Sequence, residues 1–165
     1  MNSSSLEYPT FSLKDKVALI TGAGRGLGRS CALALANAGA DIALGLRDVK
    51  TASDLESEIK EMGRKVIRVQ MDVTTVKEIR NAVDEVINRF GRIDVLVNNV
   101  GVAPANAAEN VTEADYDMTM NLNVKAMFFT SQAVAAHMIK QGGARIINMS
   151  SQAGSIPLDD ESVYC

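Results

Sequence analysis

The sequence has 165 residues, 47% hydrophobic and 22% charged, with a formal net charge of −3, a balance that suits a globular chain with a real core. Its basic residues are scattered, so it shows no footprint for nucleic acid or an anionic membrane surface, and no apolar run approaches the ~20 residues of a membrane span. Residues 1–10 lack a secretory or transit pattern, and two cysteines, Cys31 and Cys165, make no disulfide framework; a soluble, cytoplasmic protein is expected.

Residues 1–12 are serine-rich and aperiodic and read as a flexible tail. Residues 13–165 show no linker, repeat or composition shift and read as one domain. Residues 17–20 are a continuous apolar run, as in a strand covered on both faces. Gly22, Gly24, Gly26 and Gly28 follow, and Leu27, Cys31, Ala34, Leu35 and Ala38 then recur at helical spacing up to Gly39. Residues 42–46 read as a second strand. Residues 51–62 read as a helix, with Ala52, Leu55, Ile59 and Met62 on one face and Gly63 at its end. Residues 66–71 are a third strand, followed by Asp72-Val73-Thr74.

Residues 75–90 form the clearest amphipathic helix, with Val76, Ile79, Val83, Val86, Ile87 and Phe90 on one side and Gly91 as its stop. A fourth strand over 93–97 runs into Asn98-Asn99-Val100-Gly101. After a loop containing Pro104, one long helix is expected from Thr112 to about residue 140, with Met120, Val124, Met127, Val134 and Met138 able to share a face. Thr112 and Asp115 resemble a capping box with Asp in place of Glu or Gln. Gly142-Gly143 breaks that helix, residues 145–149 are a fifth strand, and Ser150-Ser151 follow.

Strand and helix alternate throughout. That order implies an α/β, doubly wound, Rossmann-like fold: a parallel sheet of five strands in the order 3-2-1-4-5, with helices on both faces. Ligands of such folds bind at the carboxyl ends of the strands, and every unusual segment falls there: 21–28, 46–48, Asp72, 98–101 and 150–151. The turn over 21–28 leads straight into a helix N-terminus, whose free N–H groups and positive dipole end suit a dinucleotide pyrophosphate. Its spacing, Gly22-x-x-x-Gly26-x-Gly28, differs from the general Gly-x-Gly-x-x-Gly fingerprint, and a ligand-free glycine turn is the plain alternative. No metal-ligand spacing and no P-loop are present, and His137 has no partner pattern.

Taken together, these residues resemble a classical short-chain dehydrogenase/reductase. Thr21-Gly22-x-x-x-Gly26-x-Gly28 matches the family's glycine motif. Asn98-Asn99-Val100-Gly101 matches its Asn-Asn-Ala-Gly segment, with Val100 replacing alanine. Asp72 matches the acidic residue that meets the adenine. Asn123, in Asn123-Val124-Lys125-Ala126-Met127-Phe128, matches the active-site asparagine better than its rival Asn121. Ser151 matches the catalytic serine, and Tyr164, thirteen residues on, stands at the interval of the catalytic tyrosine. The family's next motif residue, a lysine, would stand at position 168, beyond the sequence. The family also continues with further strands and a substrate-covering loop, so the sequence is expected to be a C-terminally truncated form or fragment. Apolar surface should then be exposed beside the fifth strand.

The resemblance implies hydride transfer between a nicotinamide cofactor and a carbonyl or secondary alcohol. Thr21, Gly22, Gly24, Arg25, Gly26, Leu27, Gly28, Arg47, Asp72, Val73, Asn98, Asn99 and Gly101 would bind the cofactor. Tyr164 would be the acid–base, Ser151 would bond the substrate oxygen, and Asn123 would hold a water of the proton relay. A phenol is protonated at neutral pH, so its anion needs a nearby cation; without the lysine, activity should be impaired. NAD enzymes carry an acidic residue at the end of the second strand. Here Leu46 and Arg47 stand there, and Arg25 lies inside the glycine turn. Two guanidinium groups suit a 2′-phosphate, so NADP(H) is expected over NAD(H), with Asp48 as the counterargument. A small-molecule carbonyl or alcohol is the expected partner, with no nucleic acid and no membrane, in a homodimer or homotetramer. A catalytically inactive nucleotide-binding or partner-binding form is the alternative.

Overall fold

Apolar runs bounded by glycine turns decide where the strands lie. In the computed structural model, which describes residues 11–165, they are β1 (Val17–Thr21), β2 (Asp41–Leu46), β3 (Val66–Gln70), β4 (Val95–Asn98) and β5 (Arg145–Asn148). Between them run α1 (Gly26–Asn37), α2 (Ser53–Glu61), α3 (Val76–Phe90), α4 (Glu113–Met120), a π turn (Asn121–Lys125) and α5 (Ala126–Lys140). The sheet is parallel at every pairing, in the order β3-β2-β1-β4-β5, as the sequence predicts. The tail expected over residues 1–12 lies outside the described residues except for Phe11 and Ser12.

Alternation along β1 splits the core into two layers. Val17 and Leu19 pack with Ile79, Val83 and Val86 of α3 and with Val134 and Met138 of α5. Ala18 and Ile20 pack with Ala32 and Ala36 of α1 and with Leu55 and Ile59 of α2. Each large aliphatic side chain taken out of water here contributes about 1.5–3 kcal/mol. β5, at the sheet edge, is different. All four of its residues are exposed, with Ile146 and Ile147 at 39% and 44%; the apolar surface expected beside this strand is present.

Two helix faces differ from the sequence reading. In α1 the buried row is Gly28, Ala32 and Ala36, one register away from the Leu27, Cys31 and Ala38 face. Only side chains this small let the helix lie close to the sheet, and Leu27 is left 66% exposed. The long helix expected from Thr112 is in fact two helices joined by the π turn, where the Ala126 N–H donates to Asn121 O, five residues back. The wider turn resets the phase. The buried row of α5 is therefore Ala126, Thr130, Val134 and Met138, and Val124 is 47% exposed rather than on the core face. The capping box does form: Asp115 N–H donates to Thr112 Oγ1 at 3.2 Å, and Thr112 N–H donates to Asp115 Oδ2 at 3.1 Å.

A candidate nucleotide-binding and active site

The glycine turn is held from below by β4. Thr21, buried at the end of β1, accepts the N–H groups of Asn99 (2.9 Å) and Val100 (3.3 Å) on its Oγ1. In return, Asn99 Nδ2 donates to Thr21 O at 2.9 Å and to Gly22 O at 3.4 Å. The turn needs glycine for two separate reasons. Gly22 and Gly26 have φ of +63° and +54°, the left-handed region that disfavours a side chain. Gly28 lies against the turn itself: a Cβ there would overlap Gly22 O and stand 2.6 Å from Asn99 Nδ2.

The start of α1 fits a pyrophosphate. Its N-cap residue, Arg25, makes no side-chain cap, and its first turn holds no acidic residue. The first N–H groups and the positive dipole end are thus not neutralised by the protein. The same turn abuts the end of β2, since a Cβ on Gly24 would lie 3.4 Å from Leu46 Cδ2 and 3.8 Å from Thr51 Oγ1. Arg25 follows Gly24 in the chain, and Arg47 follows Leu46. Both are exposed, and among the described residues neither guanidinium has an ion pair or hydrogen bond. Asp48 is otherwise engaged: its Oδ1 accepts Lys50 N–H at 2.9 Å and its carbonyl accepts Thr51 Oγ1–H at 2.6 Å, shaping the turn into α2. At the end of β3, Asp72 Oδ1 accepts the N–H and hydroxyl of Thr74 at 2.9 and 2.7 Å, which leaves Oδ2 out of these bonds.

Beside the turn, at the carboxyl ends of β1, β4 and β5, lies a cleft of about 420 Å³. Its wall brings together Thr21, Leu27, Val73, Asn98, Asn99, Gly101, Asn123, Ser151 and Tyr164 from the sequence-derived set. Gly22, Gly24, Arg25, Gly26, Gly28, Arg47 and Asp72 are outside that wall, in the glycine turn and at the ends of β2 and β3. The exposed Leu27 thus finds its place at the cleft mouth. Val102, Met127, Thr130, Met149 and Ser150 also line it. Ser150 belongs to a segment the sequence already places at the strand ends, whereas Met127 and Thr130 were missed because only the fold brings α5 under the ends of β4 and β5.

The polar side chains of the cleft differ in how far they are already engaged. Asn98, 6% exposed, donates from Nδ2 to Ser131 Oγ and Asn148 Oδ1, both at 2.9 Å, and so ties β4 to β5 and α5. Asn123, placed by the π turn, bonds both backbone groups of Val102. Ser151 Oγ accepts Ala153 N–H at 3.2 Å, which leaves its own proton for a ligand. The Tyr164 hydroxyl bonds no described group, while its N–H donates to Glu161 O at 2.9 Å. Among the described residues Tyr164 is the one titratable side chain on the wall, with no Asp, Glu, Lys, Arg, His or Cys beside it. Among the described residues, no cluster of His, Cys, Asp and Glu could hold a metal ion, and no helix is long and apolar enough to cross a membrane.

Residues 16–165 match the family model for short chain dehydrogenases. A hydroxynaphthalene reductase-like protein, Arp2, from Metarhizium anisopliae is 39% identical over 155 residues, which is 93% of this chain and 57% of that protein. The chain thus spans somewhat over half the length of this curated relative. Among solved structures, a gluconate 5-dehydrogenase from Burkholderia cenocepacia in complex with NADP and tartrate superposes with a TM-score of 0.88 at 35% identity, covering 93% of this chain and 60% of that one. A 7α-hydroxysteroid dehydrogenase complexed with NADH and 7-oxo glycochenodeoxycholic acid gives 0.89 at 32% identity, covering 94% and 60%.

Proposed function

Because the chain belongs to the short-chain dehydrogenase family, we propose that the protein is an oxidoreductase acting between NADP(H) and a small carbonyl or secondary alcohol, with residues 13–165 as its nucleotide-binding domain. The observation that carries this reading is the shared wall: Asn123, Ser151 and Tyr164 face the same neutral cleft as Thr21, Leu27 and 98–101. The cofactor, when bound, supplies or accepts the hydride. In this reading α1 receives the pyrophosphate, Asp72 Oδ2 faces the adenine, and Arg25 and Arg47 pair with a 2′-phosphate. Tyr164 gives its phenolic proton to the substrate oxygen in reduction and takes it back in oxidation. Ser151 Oγ–H donates to the same oxygen and stabilises charge as it develops. Asn123 fixes the cleft wall at Val102 and serves the proton path.

The unpaired guanidinium groups support NADP(H), as does the NADP-bound gluconate 5-dehydrogenase; the NADH-bound steroid dehydrogenase shows that a related fold also takes the other cofactor. Exposed Phe128 and Ile139 on α5, at 60% and 78%, support a homodimer or homotetramer. Among the described residues no ammonium stands on the cleft wall to stabilise a phenolate, so a polypeptide of these residues alone should bind nucleotide with impaired turnover.

The test is NADPH oxidation by the intact protein against a panel of ketones and aldehydes, with Tyr164→Phe beside it. Turnover with at least one carbonyl, falling ~100-fold or more in the variant, is expected of a general acid. Undiminished turnover by Tyr164→Phe overturns the assignment.

A further inference from the structure

Asn106 stands between two loops that wall the cleft. Its Nδ2 donates to Asn110 O in its own loop at 3.0 Å and to Asp115 Oδ2 in α4 at 3.3 Å. Asp115 is the capping-box carboxylate at the start of α4, so the Asn106 side chain is pinned to a helix end. Its backbone faces the other way. The Asn106 N–H donates to Asp160 O at 2.5 Å, and Asn106 pairs with Glu161 in a parallel bridge outside the main sheet. On the far side of that bridge, Glu161 O accepts the N–H groups of both Tyr164 and Cys165, each at 2.9 Å. A continuous set of hydrogen bonds therefore runs from the cap of α4 through Asn106 and Glu161 to the backbone of Tyr164.

We infer that Asn106 is a positioning residue for the reaction: it couples the loop of residues 102–110 to the segment that carries Tyr164, and so fixes the tyrosine relative to Ser151. The inference rests on the reading of Tyr164 as the acid–base. At its other end the same loop is clamped by Asn123 at Val102, and Val102 and Ala103 line the cleft. A substrate pressing on those residues thus acts on a loop that holds the tyrosine segment a few residues further on, at Asn106. Asp160 adopts a φ of +58°, a left-handed conformation that Asp enters more readily than most residues and that a hydrogen bond on its carbonyl helps to keep. The Asn106 N–H supplies that bond.

The test uses the intact protein with two variants. Asn106→Ala removes the side-chain anchor and keeps the bridge N–H; Asn106→Pro removes the N–H itself. Both should lower kcat about 10–100-fold, the usual cost of a misplaced catalytic group, while the NADPH Kd stays at the parent value. Amide exchange of residues 161–165 should rise in both, more so in the proline variant. Unchanged kcat with unchanged exchange in that segment overturns the inference. So does exchange that rises equally in β1 and β4, which makes Asn106 a general stabiliser. Tyr164→Phe separates the two claims: full activity there removes the acid–base reading and the catalytic part of this one, while the exchange data still decide whether Asn106 holds the segment.

Discussion

The carboxamide of Asn123 closes both of its polar ends on one residue, Val102. Its Oδ1 accepts the Val102 N–H and its Nδ2 donates to Val102 O, each at 2.8 Å. The pair joins the π turn to the first loop residue past Gly101, and Gly101 has no room to spare, since a Cβ there would lie 3.2 Å from Asn123 Oδ1. Asn123→Ala loses two hydrogen bonds and leaves the backbone of Val102 unpaired, a cost of about 1–3 kcal/mol. Asn123→Asp keeps the acceptor but sets a carboxylate oxygen against Val102 O, so it should fare no better. Melting temperatures check this: a drop of about 2–4 °C per kcal/mol is expected at this chain length. A melting point unchanged in both variants refutes the clamp.

Gly28 and Gly26 should respond differently to the same methyl group. In Gly28→Ala the Cβ meets the backbone carbonyl of Gly22 and the amide of Asn99, neither of which is a flexible side-chain end, so the turn must move and nucleotide affinity should fall sharply. In Gly26→Ala the Cβ meets nothing within 4 Å, and the cost is the left-handed φ alone, about 1–2 kcal/mol. NADPH titration of both variants checks the contrast. Equal loss of affinity contradicts the close-packing account of Gly28.

The sheet order was legible because β1, β2 and β4 are dense apolar runs, β3 keeps three apolar residues of five, and most helices end at a glycine, signals that are local in sequence. The site was legible in part for the same reason: strand ends and the segments after them are contiguous. What the sequence concealed is relational. The π turn at Asn121–Lys125 leaves no mark in residue type, since apolar residues recur acceptably on either phase, and so Val124 was placed on the wrong face. The α1 register turned on the contact of Gly28 with Gly22 and Asn99, residues brought together only by folding. The bridge from Asn106 to Glu161 joins two loops with no periodicity at all.

The cofactor preference turns on Arg47, exposed at the end of β2 and unpaired among the described residues. A charge-assisted bond to a 2′-phosphate contributes about 1.5–3 kcal/mol. Arg47→Asp should therefore raise the NADPH Kd about 10–100-fold and leave NADH binding unchanged or tighter, because a carboxylate there can accept from a ribose hydroxyl. Fluorescence titration with both nucleotides measures the ratio. Identical ratios before and after the change remove Arg47 from the site.

Asp94 links the bottom of β1 to β4 and sets a pH limit on the sheet. It is 6% exposed. Its Oδ2 accepts the Val17 N–H at 3.0 Å and Arg92 Nε–H at 2.7 Å, while Oδ1 accepts Arg92 Nη2–H at 2.6 Å and faces Lys16 Nζ at 3.6 Å. Burial pushes its carboxyl upward, but the hydrogen bonds from Arg92 and Val17 and the charges of Arg92 and Lys16 more than offset this, so it is held below its ordinary value. A carboxyl lowered on folding stabilises the fold fully above its unfolded value, about 3.9, and ceases to as pH falls through the folded value. Both cationic partners are partly exposed, so screening trims the Coulomb share. Asp94→Asn keeps an acceptor for Val17 and loses the charge, and should cost about 1–2 kcal/mol at neutral pH. The gap between parent and variant should then close as pH drops below about 4. Denaturant unfolding from pH 7 to pH 3 measures it, and a gap that is constant across that range contradicts a charged role for Asp94.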